Sequence, residues 1–286
     1  MAEVHNKIGV IGGGNMGEAF IGALVRSNIF DPSMITVSDV IPARLDYLRK
    51  TYPISVTLNN YELFAKCDLV IIAVKPQHMG ALLTEISEQQ TYHISERKLV
   101  ISVAAGIPLK KIEYFFYTPL DDASKQRLPI IRVMPNTPAL VLAGIFGITP
   151  NRYTGDQDMA IARKILSAMG QVIEFDEGDL DAVTALSGSG PAYVFYLVES
   201  MIAAGITMGL NSEDAKILTI MTLKGALTLL DKRGESPEQL RRQVTSPGGT
   251  TEAALKVLEI HKVKQSFIDA ITAAKARAKE LNETVL

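Results

Sequence analysis

The sequence predicts an α/β protein whose N-terminal domain is a doubly wound parallel sheet and whose C-terminal domain is all helical. Three observations predict this class. Short β-like runs alternate with amphipathic segments through the first half of the chain, and these runs are apolar enough to be buried on both faces. After Asp176 the pattern becomes almost wholly helical. We therefore expect two domains, residues 1–176 and 177–286.

A series of apolar runs in the first domain are predicted strands. They are Lys7–Ile11, Met34–Ser38, Ile54–Thr57, Leu69–Val74, Leu99–Val103, Pro129–Met134, Ile145–Thr149 and Gln171–Phe175. Segments with helical periodicity separate the first five, among them Met16–Arg26, Ala43–Lys50 and His78–Ser87. This alternation predicts a parallel sheet. The last three strands are more closely spaced, so we expect them to extend the sheet as an antiparallel edge.

The second domain is predicted to be helical from Asp179 to Asn282. Its expected interruptions are Ser187–Pro191, Gly209–Asn211, Lys232–Gly234 and Ser246–Gly249. Asn211 and Ser236 are good helix caps, because acids or a proline follow them in the first turn. The segment Pro191–Met208 is apolar on nearly every face, which indicates packing against a second subunit. We therefore expect a homodimer at least.

Composition argues against a nucleic-acid or membrane partner. Of the 286 residues 47% are hydrophobic and 21% charged, and the net charge of −2 provides no basic surface for nucleic acid or lipid headgroups. The apolar stretch 192–208 is interrupted by Glu199 and Gly205, which favours a buried helix over a membrane span. Cys67 is the lone cysteine, and no signal-type segment precedes the strand at Lys7, so we expect a cytoplasmic protein.

The first predicted strand runs directly into a G-x-G-x-x-G motif at Gly12, Gly14 and Gly17. The first glycine permits a sharp turn, the second lets the backbone approach a pyrophosphate, and the third lets the helix pack closely on the sheet. A strand before the motif and a helix after it predict a Rossmann-type dinucleotide-binding domain, with Asn15 and Met16 part of the cofactor loop. A purely structural glycine turn is the alternative.

Ser38 and Asp39 end the second predicted strand and bear on the choice of cofactor. An acid at this place accepts hydrogen bonds from the adenine ribose 2′-hydroxyl and repels a 2′-phosphate, which favours NADH. Two alternatives stay open. Asp39 caps the helix that follows Pro42, or Arg44 swings toward a 2′-phosphate and the enzyme uses NADPH. The sequence favours NADH without excluding NADPH.

Residues 244–251, which read VTSPGGTT, predict an anion site in the helical domain. Pro247 and the two glycines after it interrupt any helix and leave backbone N–H groups free. Hydroxyl side chains surround these amides, namely Thr245, Ser246, Thr250 and Thr251. A loop of this kind at a helix N-terminus favours a small carboxylate. An ordinary turn followed by a threonine-capped helix is the alternative.

Together these motifs resemble the pyrroline-5-carboxylate reductase family over essentially the whole chain. Beside the glycine motif, the resemblance is carried by Ala73–Pro76, Ser102–Gly106, Arg132–Ala139, Leu186–Tyr193 and Val244–Thr251. It implies a Rossmann-type domain followed by a helical domain through which two subunits interlock, with further assembly into decamers in many members. The implied reaction is the reduction of L-1-pyrroline-5-carboxylate, a small imine, to L-proline by NADPH or NADH, the last step of proline biosynthesis.

The resemblance also implies roles for individual residues. Those of the substrate carboxylate site are Ser246 and the amides of Gly248, Gly249 and Thr250. Thr251 is the implied catalytic residue, with its hydroxyl facing the ring nitrogen. Further residues on the cofactor side are Asn60, Val74, Lys75, Pro76, Ala104 and Asn136. Asn60 corresponds to a ribose contact, and Asn136 supports the nicotinamide side. The pair Ser38 and Asp39 departs from members with small hydroxyl or basic residues there, so strict NADPH use is not implied.

Reduction of an imine needs neither a histidine or metal ion, which the predicted motifs lack, nor a lysine on the helix predicted at residues 192–208. A protonated C=N carbon is already electrophilic, so the neutral hydroxyl of Thr251 suffices to orient the nitrogen or relay a proton from water. The histidines fall outside the motifs, and no Cys and His spacing predicts a metal site; they are His5, His78, His93 and His261. A β-hydroxyacid dehydrogenase needs a lysine that residues 192–208 lack. A non-catalytic dinucleotide sensor is the other alternative, although it has no need of the VTSPGGTT loop.

Overall fold

The computed structural model describes residues 7–27 and 30–284, so His5 lies outside the described residues. The strands are β1 Ile8–Ile11, β2 Ile35–Ser38, β3 Ser55–Thr57, β4 Leu69–Ile72, β5 Leu99–Ser102, β6 Ile130–Met134, β7 Gly144–Pro150 and β8 Gly170–Glu174. The helices are α1 Asn15–Arg26, α2 Pro42–Thr51, α3 Asn60–Lys66, α4 Met79–Ser87, α5 Leu109–Tyr117, α6 Asp122–Gln126, α7 Asp156–Ser167, α8 Leu180–Val183, α9 Gly190–Thr207, α10 Ser212–Arg233, α11 Pro237–Gln243, α12 Thr250–Ile260 and α13 Val263–Thr284. They form two compact units. One contains the described residues up to Ser189 and those from Ala274 on, and the other is Gly190–Ala273.

One eight-stranded sheet forms the centre of the first unit, in the order β3-β2-β1-β4-β5-β6-β7-β8. The strands from β1 to β6 are all parallel, β7 is antiparallel to β6, and β8 is parallel to β7. All predicted strands are present, but the expected antiparallel edge is wrong except at β6–β7. The short connection between these two strands reverses the chain, whereas α7 carries the chain back across the sheet before β8.

Helices cover both faces of the sheet, which explains the continuously apolar strands. Along β4, Leu69 and Ile71 belong to one core cluster, whereas Val70 and Ile72 belong to the other. In the sheet, β2 and β3 lie on one side of β1, and the chain then crosses back to place β4 on the other side. The strand order therefore reverses between β1 and β4, where open α/β sheets bind their ligands beyond the carboxyl ends of the strands.

In the second unit, α10 and α11 begin where the sequence predicts. The Asn211 side chain caps α10 by accepting a hydrogen bond from the Asp214 amide at 2.9 Å, and the Ser236 hydroxyl caps α11. Large apolar side chains of α9 are exposed in the single chain; Phe195 is 61% and Tyr196 69% exposed. Within the described part of the chain, no helix combines the length and hydropathy needed to cross a membrane.

The expected break at Ser187–Pro191 is instead a wide helical turn. Residues Thr184–Gly188 form a π-helical turn, and α9 begins at Gly190. Gly188 lies close to the end of β6, since a Cβ atom there would stand 2.3 Å from the Met134 Cε. A single π turn is common at functional sites, and here it lets two predicted motif segments approach each other within the first unit.

Within the first unit, a buried arginine contacts the last turns of α13. Arg132 on β6 is only 3% exposed and donates hydrogen bonds to Glu177 at 3.3 Å and to the Asn282 side-chain oxygen at 3.5 Å. The same Glu177 oxygen accepts a hydrogen bond from the Leu109 amide at 2.6 Å. Burial lowers the pKa of Arg132, and the carboxylate of Glu177 opposes that shift.

Candidate active site

The glycine motif forms a tight turn between β1 and α1. Gly12 has a φ of +98°, and its amide donates a hydrogen bond to the Ser38 carbonyl at 2.8 Å, which fastens the turn to β2. A Cβ atom on Gly17 would stand 1.9 Å from the Gly12 oxygen. Only glycine permits this contact between helix and turn, which is the close packing that the motif predicts.

Gly14 leaves an open approach to the N-terminus of α1. No heavy atom would lie within 4 Å of a Cβ atom built on it. Gly14 is the N-cap of α1, and no side chain caps that helix end. The first amides of α1 therefore face open space together with the positive end of the helix dipole, which is the arrangement that binds a pyrophosphate.

A cavity of about 430 Å³ lies beside this turn, at the carboxyl ends of β1, β2 and β4. The predicted cofactor residues that line it are Gly12, Gly14, Asp39, Asn60, Val74 and Lys75. The remaining predicted cofactor residues are not part of its lining, namely Asn15, Met16, Gly17, Ser38, Pro76, Ala104 and Asn136. The volume and position suit the adenosine portion of a dinucleotide.

Helix α4, the residue just before it and the loop after β2 supply cavity residues that sequence reasoning missed. They are Val40, Ile41, His78, Ala81, Leu82 and Glu85. Val40 and Ile41 are 78% and 57% exposed. The buried amide of Asn60 donates a hydrogen bond to the Glu85 carboxylate at 3.0 Å. The sequence already shows the apolar pair Val40 and Ile41 directly after Asp39, and a site for the adenine base needs apolar surface at this place.

Asp39 connects the glycine turn to the loop after β2 through its two carboxylate oxygens. One accepts a hydrogen bond from the Gly13 amide at 2.8 Å and the other from the Ile41 amide at 2.9 Å. Each carboxylate oxygen keeps a further lone pair for a ribose hydroxyl. Arg44 does not point freely toward the cavity, because its guanidinium donates to the Gly13 carbonyl at 2.5 Å and is paired with Glu18.

Three predicted cofactor residues have local structural partners or are buried. The Asn136 side-chain oxygen accepts a hydrogen bond from the Ile145 amide at 3.0 Å, which ties the MPNTP segment to β7. Ser38 and Ala104 are buried, and the Ser38 hydroxyl has no hydrogen-bond partner among the described residues. Their contacts with a cofactor stay predictions.

The VTSPGGTT loop connects α11 to α12, so the predicted interruption of the helices is present. Gly248 has a φ of +73°, a left-handed conformation that favours glycine. Gly249 is the N-cap of α12, and no side chain caps that helix end. No described residue accepts a hydrogen bond from the amides of Thr250 or Thr251. The loop therefore presents a bare helix N-terminus, as an anion site requires.

Two amides that we expected to be free have partners within the loop. The Gly248 amide donates to the Glu252 carboxylate at 2.8 Å, and the Gly249 amide donates to the Ser246 carbonyl at 3.1 Å. The expectation of free amides is thus wrong for these two glycines. Glu252 places an internal carboxylate against the loop, because a glutamate in the first turn of a helix reaches back to the amides before it.

The fold and the cavity define a dinucleotide-binding protein of the Rossmann class with a helical second domain, and comparison with known proteins identifies the family. A model described as pyrroline-5-carboxylate reductase dimerisation matches residues 177–281. One described as NADP oxidoreductase, coenzyme F420-dependent, matches residues 7–106. The pyrroline-5-carboxylate reductase of Synechocystis sp. is 39% identical over 277 residues, which cover 97% of this chain and 98% of that protein.

Solved structures agree with this identification. A pyrroline-5-carboxylate reductase from Coxiella burnetii has a TM-score of 0.84 at 37% identity and covers 98% of this chain and 100% of its own. The pyrroline carboxylate reductase of Plasmodium falciparum, solved with NADP bound, has a TM-score of 0.84 at 32% identity, with 97% and 98% covered. The chain belongs to the pyrroline-5-carboxylate reductase family. It is an oxidoreductase whose cofactor is a nicotinamide dinucleotide, and the predicted family, fold class and activity are confirmed.

Proposed function

We propose that this chain reduces L-1-pyrroline-5-carboxylate to L-proline and that the VTSPGGTT loop binds the substrate carboxylate. The observation that carries the proposal is the bare N-terminus of α12, with unpartnered amides at Thr250 and Thr251. Ser246 adds a hydroxyl beside these amides. A carboxylate here gains charge-assisted hydrogen bonds and a favourable interaction with the helix dipole.

Thr251 orients the ring nitrogen of the substrate. A protonated imine already has an electrophilic carbon, and the bound nicotinamide supplies the hydride. The chain then has to hold the carboxylate, orient the ring and exclude water. A neutral hydroxyl at Thr251 is sufficient to accept a hydrogen bond from the iminium N–H or to relay a proton from water. The amides of Gly248 and Gly249 join the carboxylate site once the loop gives up its internal hydrogen bonds.

The glycine turn and the cavity beside it hold the dinucleotide. The amides of Gly14, Asn15 and Met16 at the start of α1 bind the pyrophosphate. Asp39, Asn60, Val74 and Lys75 all line the cavity, and Asp39 and Asn60 are assigned to the ribose. Gly17 and Ser38 support the turn, while Pro76, Ala104 and Asn136 lie in the segments after β4, β5 and β6 that approach the nicotinamide.

NADH is the proposed preferred cofactor. The Asp39 carboxylate lines the cavity, so it attracts ribose hydroxyls and repels a 2′-phosphate. The variant Asp39→Ser removes this charge and is expected to raise the ratio of kcat/KM for NADPH to that for NADH. A ratio equal to that of the unmodified enzyme would remove Asp39 as the selector.

The helical region 177–286 acts as the dimerisation and substrate domain, and residues 1–176 act as the dinucleotide domain. The match of the dimerisation model to residues 177–281 supports this division. The exposed apolar surface of the second unit supports a dimer at least, and the decamer is an expectation that rests on the family resemblance alone. A cytoplasmic location suits Cys67, whose thiol is buried and whose pKa burial raises to about 11.

Incubation of the purified chain with pyrroline-5-carboxylate and either nicotinamide cofactor tests the reaction. We expect imine-dependent cofactor oxidation with proline formed in equal amount. A folded protein that binds the cofactor without turnover would support a dinucleotide sensor instead, and oxidation of a hydroxyacid would support a β-hydroxyacid dehydrogenase.

A further inference from the structure

We propose that Glu18 selects against NADPH by holding Arg44 away from the adenosine 2′-phosphate. This inference rests on the proposed use of nicotinamide dinucleotides, and it adds a residue that lies outside the predicted cofactor site. Glu18 is on the first turn of α1, and Arg44 is near the start of α2. The two side chains meet beside the glycine turn, and each is about three-quarters buried, with 23% and 25% of its surface exposed.

Arg44 is held at three points. Its Nη2 pairs with the Glu18 carboxylate, and its Nε donates a hydrogen bond to the Gly13 carbonyl at 2.5 Å. Its guanidinium also stacks on Tyr47, with 4.9 Å between the guanidinium carbon and the ring centroid. These contacts fix the planar group against the turn, so its charge is already paired when a cofactor arrives.

Glu18 is itself held in place by two phenols. The Oε1 atom accepts hydrogen bonds from the hydroxyls of Tyr47 at 3.1 Å and Tyr52 at 3.3 Å. Burial raises the pKa of Tyr52, and the negative charge of Glu18 raises it further, so this phenol stays protonated and remains a donor. Glu18 is thus positioned to keep its other oxygen on Arg44.

Arg44 lies outside the cavity lining but next to Asp39, whose carboxylate lines the cavity where the ribose is proposed to bind. Asp39 accepts a hydrogen bond from the Gly13 amide, and Arg44 donates one to the Gly13 carbonyl, so both side chains contact the same residue of the turn. The wall that continues from Asp39 consists of Val40 and Ile41, which supply no positive charge. A guanidinium released at this place binds a phosphate through two parallel hydrogen bonds. Its pairing elsewhere therefore disfavours NADPH.

The variant Glu18→Gln tests the inference, because glutamine keeps the size of the side chain and its hydrogen bonds to the phenols but removes the charge. We expect kcat/KM for NADPH relative to NADH to rise by at least about tenfold, which is the gain expected from even one charge-assisted hydrogen bond. Binding of 2′,5′-ADP relative to 5′-AMP, measured by calorimetry, is expected to rise by a similar factor. Glu62→Gln removes an exposed ion pair on α3 and is the matched control, with both ratios unchanged.

A second substitution tests whether a gain for NADPH comes from the release of Arg44 or only from the loss of a negative charge near the cofactor. In the double variant Glu18→Gln with Arg44→Gln, the gain for NADPH is expected to disappear. Arg44→Gln alone is expected to change the cofactor ratio by less than about twofold, because the paired arginine contributes little to phosphate binding. This single variant keeps the inference testable if Glu18→Gln lowers the stability of the turn.

Two results would overturn the inference. One is an unchanged NADPH to NADH ratio in folded Glu18→Gln, and the other is an equal gain in the double variant. Failure of the proposed function is a different result, since it abolishes imine-dependent turnover with both cofactors in the unmodified chain. The comparison of 2′,5′-ADP with 5′-AMP would still decide the role of Glu18 in that case.

Discussion

Gly14 shows how one missing side chain prepares a binding surface. Its φ of −66° is open to any residue, and nothing lies within 4 Å of a built Cβ, so the folded chain itself tolerates a larger side chain. A pyrophosphate bound as proposed would not. Gly17 differs, because its Cβ would clash with the backbone of Gly12 and any substitution there disturbs the turn. A substitution at Gly14 is therefore expected to impair cofactor binding alone, whereas a substitution at Gly17 is expected to disturb the folded turn.

Gly14→Val is expected to weaken dinucleotide binding by at least about tenfold while the melting temperature stays near that of the unmodified chain. The valine side chain occupies the space in front of the α1 amides. Calorimetric titration with NADH and a thermal melt measure the two effects. Gly178→Val is the matched control, because a Cβ atom there also meets nothing within 4 Å, far from the motif in sequence. Full cofactor affinity in Gly14→Val would contradict the placement of the pyrophosphate.

Thr251→Ala is expected to lower kcat by about 10- to 100-fold, the loss of one hydrogen bond to a charged group. Cofactor affinity and the melting temperature should not change, because the Thr251 hydroxyl caps nothing within the loop. Thr251→Ser keeps a hydroxyl and is expected to restore most of the rate. Steady-state rates for the three proteins measure this. An unchanged kcat in the alanine variant would remove Thr251 from the mechanism.

At the scale of elements, the loop before α12 and the first turn of that helix form one unit. Glu252 stands three residues after the N-cap Gly249 and binds back to the Gly248 amide. A capping box takes such a glutamate back to the amide of the N-cap itself, so the contact with the preceding Gly248 amide was not predictable from the spacing. This contact means that an internal carboxylate has to leave the loop before the substrate carboxylate engages that amide.

Glu252→Gln is expected to lower the KM for pyrroline-5-carboxylate about threefold without a change in kcat. The glutamine still accepts from the amide, but it no longer repels the arriving anion. Glu259→Gln, on the same helix, removes an equal charge farther from the loop and is expected to leave KM unchanged. Initial rates over a range of imine concentrations decide the question, and a raised KM in Glu252→Gln would show that Glu252 supports the site.

Elements with a strong local pattern were predictable, and elements that depend on distant contacts were not. The strands were visible because burial on two faces leaves continuous apolar runs such as Leu69–Ile72. The sequence predicts a break at Ser187–Pro191, whereas residues Thr184–Gly188 form a π turn that packs against Met134 and has no sequence pattern of its own. The pairing of Glu85 with Asn60 joins two helices, and no short-range spacing reveals it.

At the scale of the whole molecule, the helical unit Gly190–Ala273 exposes more apolar surface than a single chain leaves in water. Several large apolar side chains on α10 are exposed, for example Leu218 at 56%, Ile220 at 44% and Met221 at 59%. A surface of this kind marks an interface between proteins. The dimerisation family model covers the same part of the chain. We therefore expect a second subunit to bury this apolar surface.

The double variant Leu218→Glu with Met221→Glu is expected to shift the enzyme to monomers and to lower its activity by at least about tenfold, since charges are costly in an apolar interface. Sedimentation velocity and initial rates measure both effects. Lys50→Glu on α2 is a control with a comparable change of charge outside the helical unit. A double variant that stays dimeric would place the interface on another face of the unit.

The most direct test of the account compares pyrroline-5-carboxylate with 1-pyrroline, the same imine without its carboxylate. The proposed anion site predicts a kcat/KM about 10- to 100-fold higher for the carboxylate-bearing substrate. Most of this preference is expected to vanish when the loop is altered at Gly248, where φ is +73° and a side chain is strained. Equal kcat/KM for the two imines in the unmodified enzyme would contradict the central claim that the VTSPGGTT loop binds the substrate carboxylate.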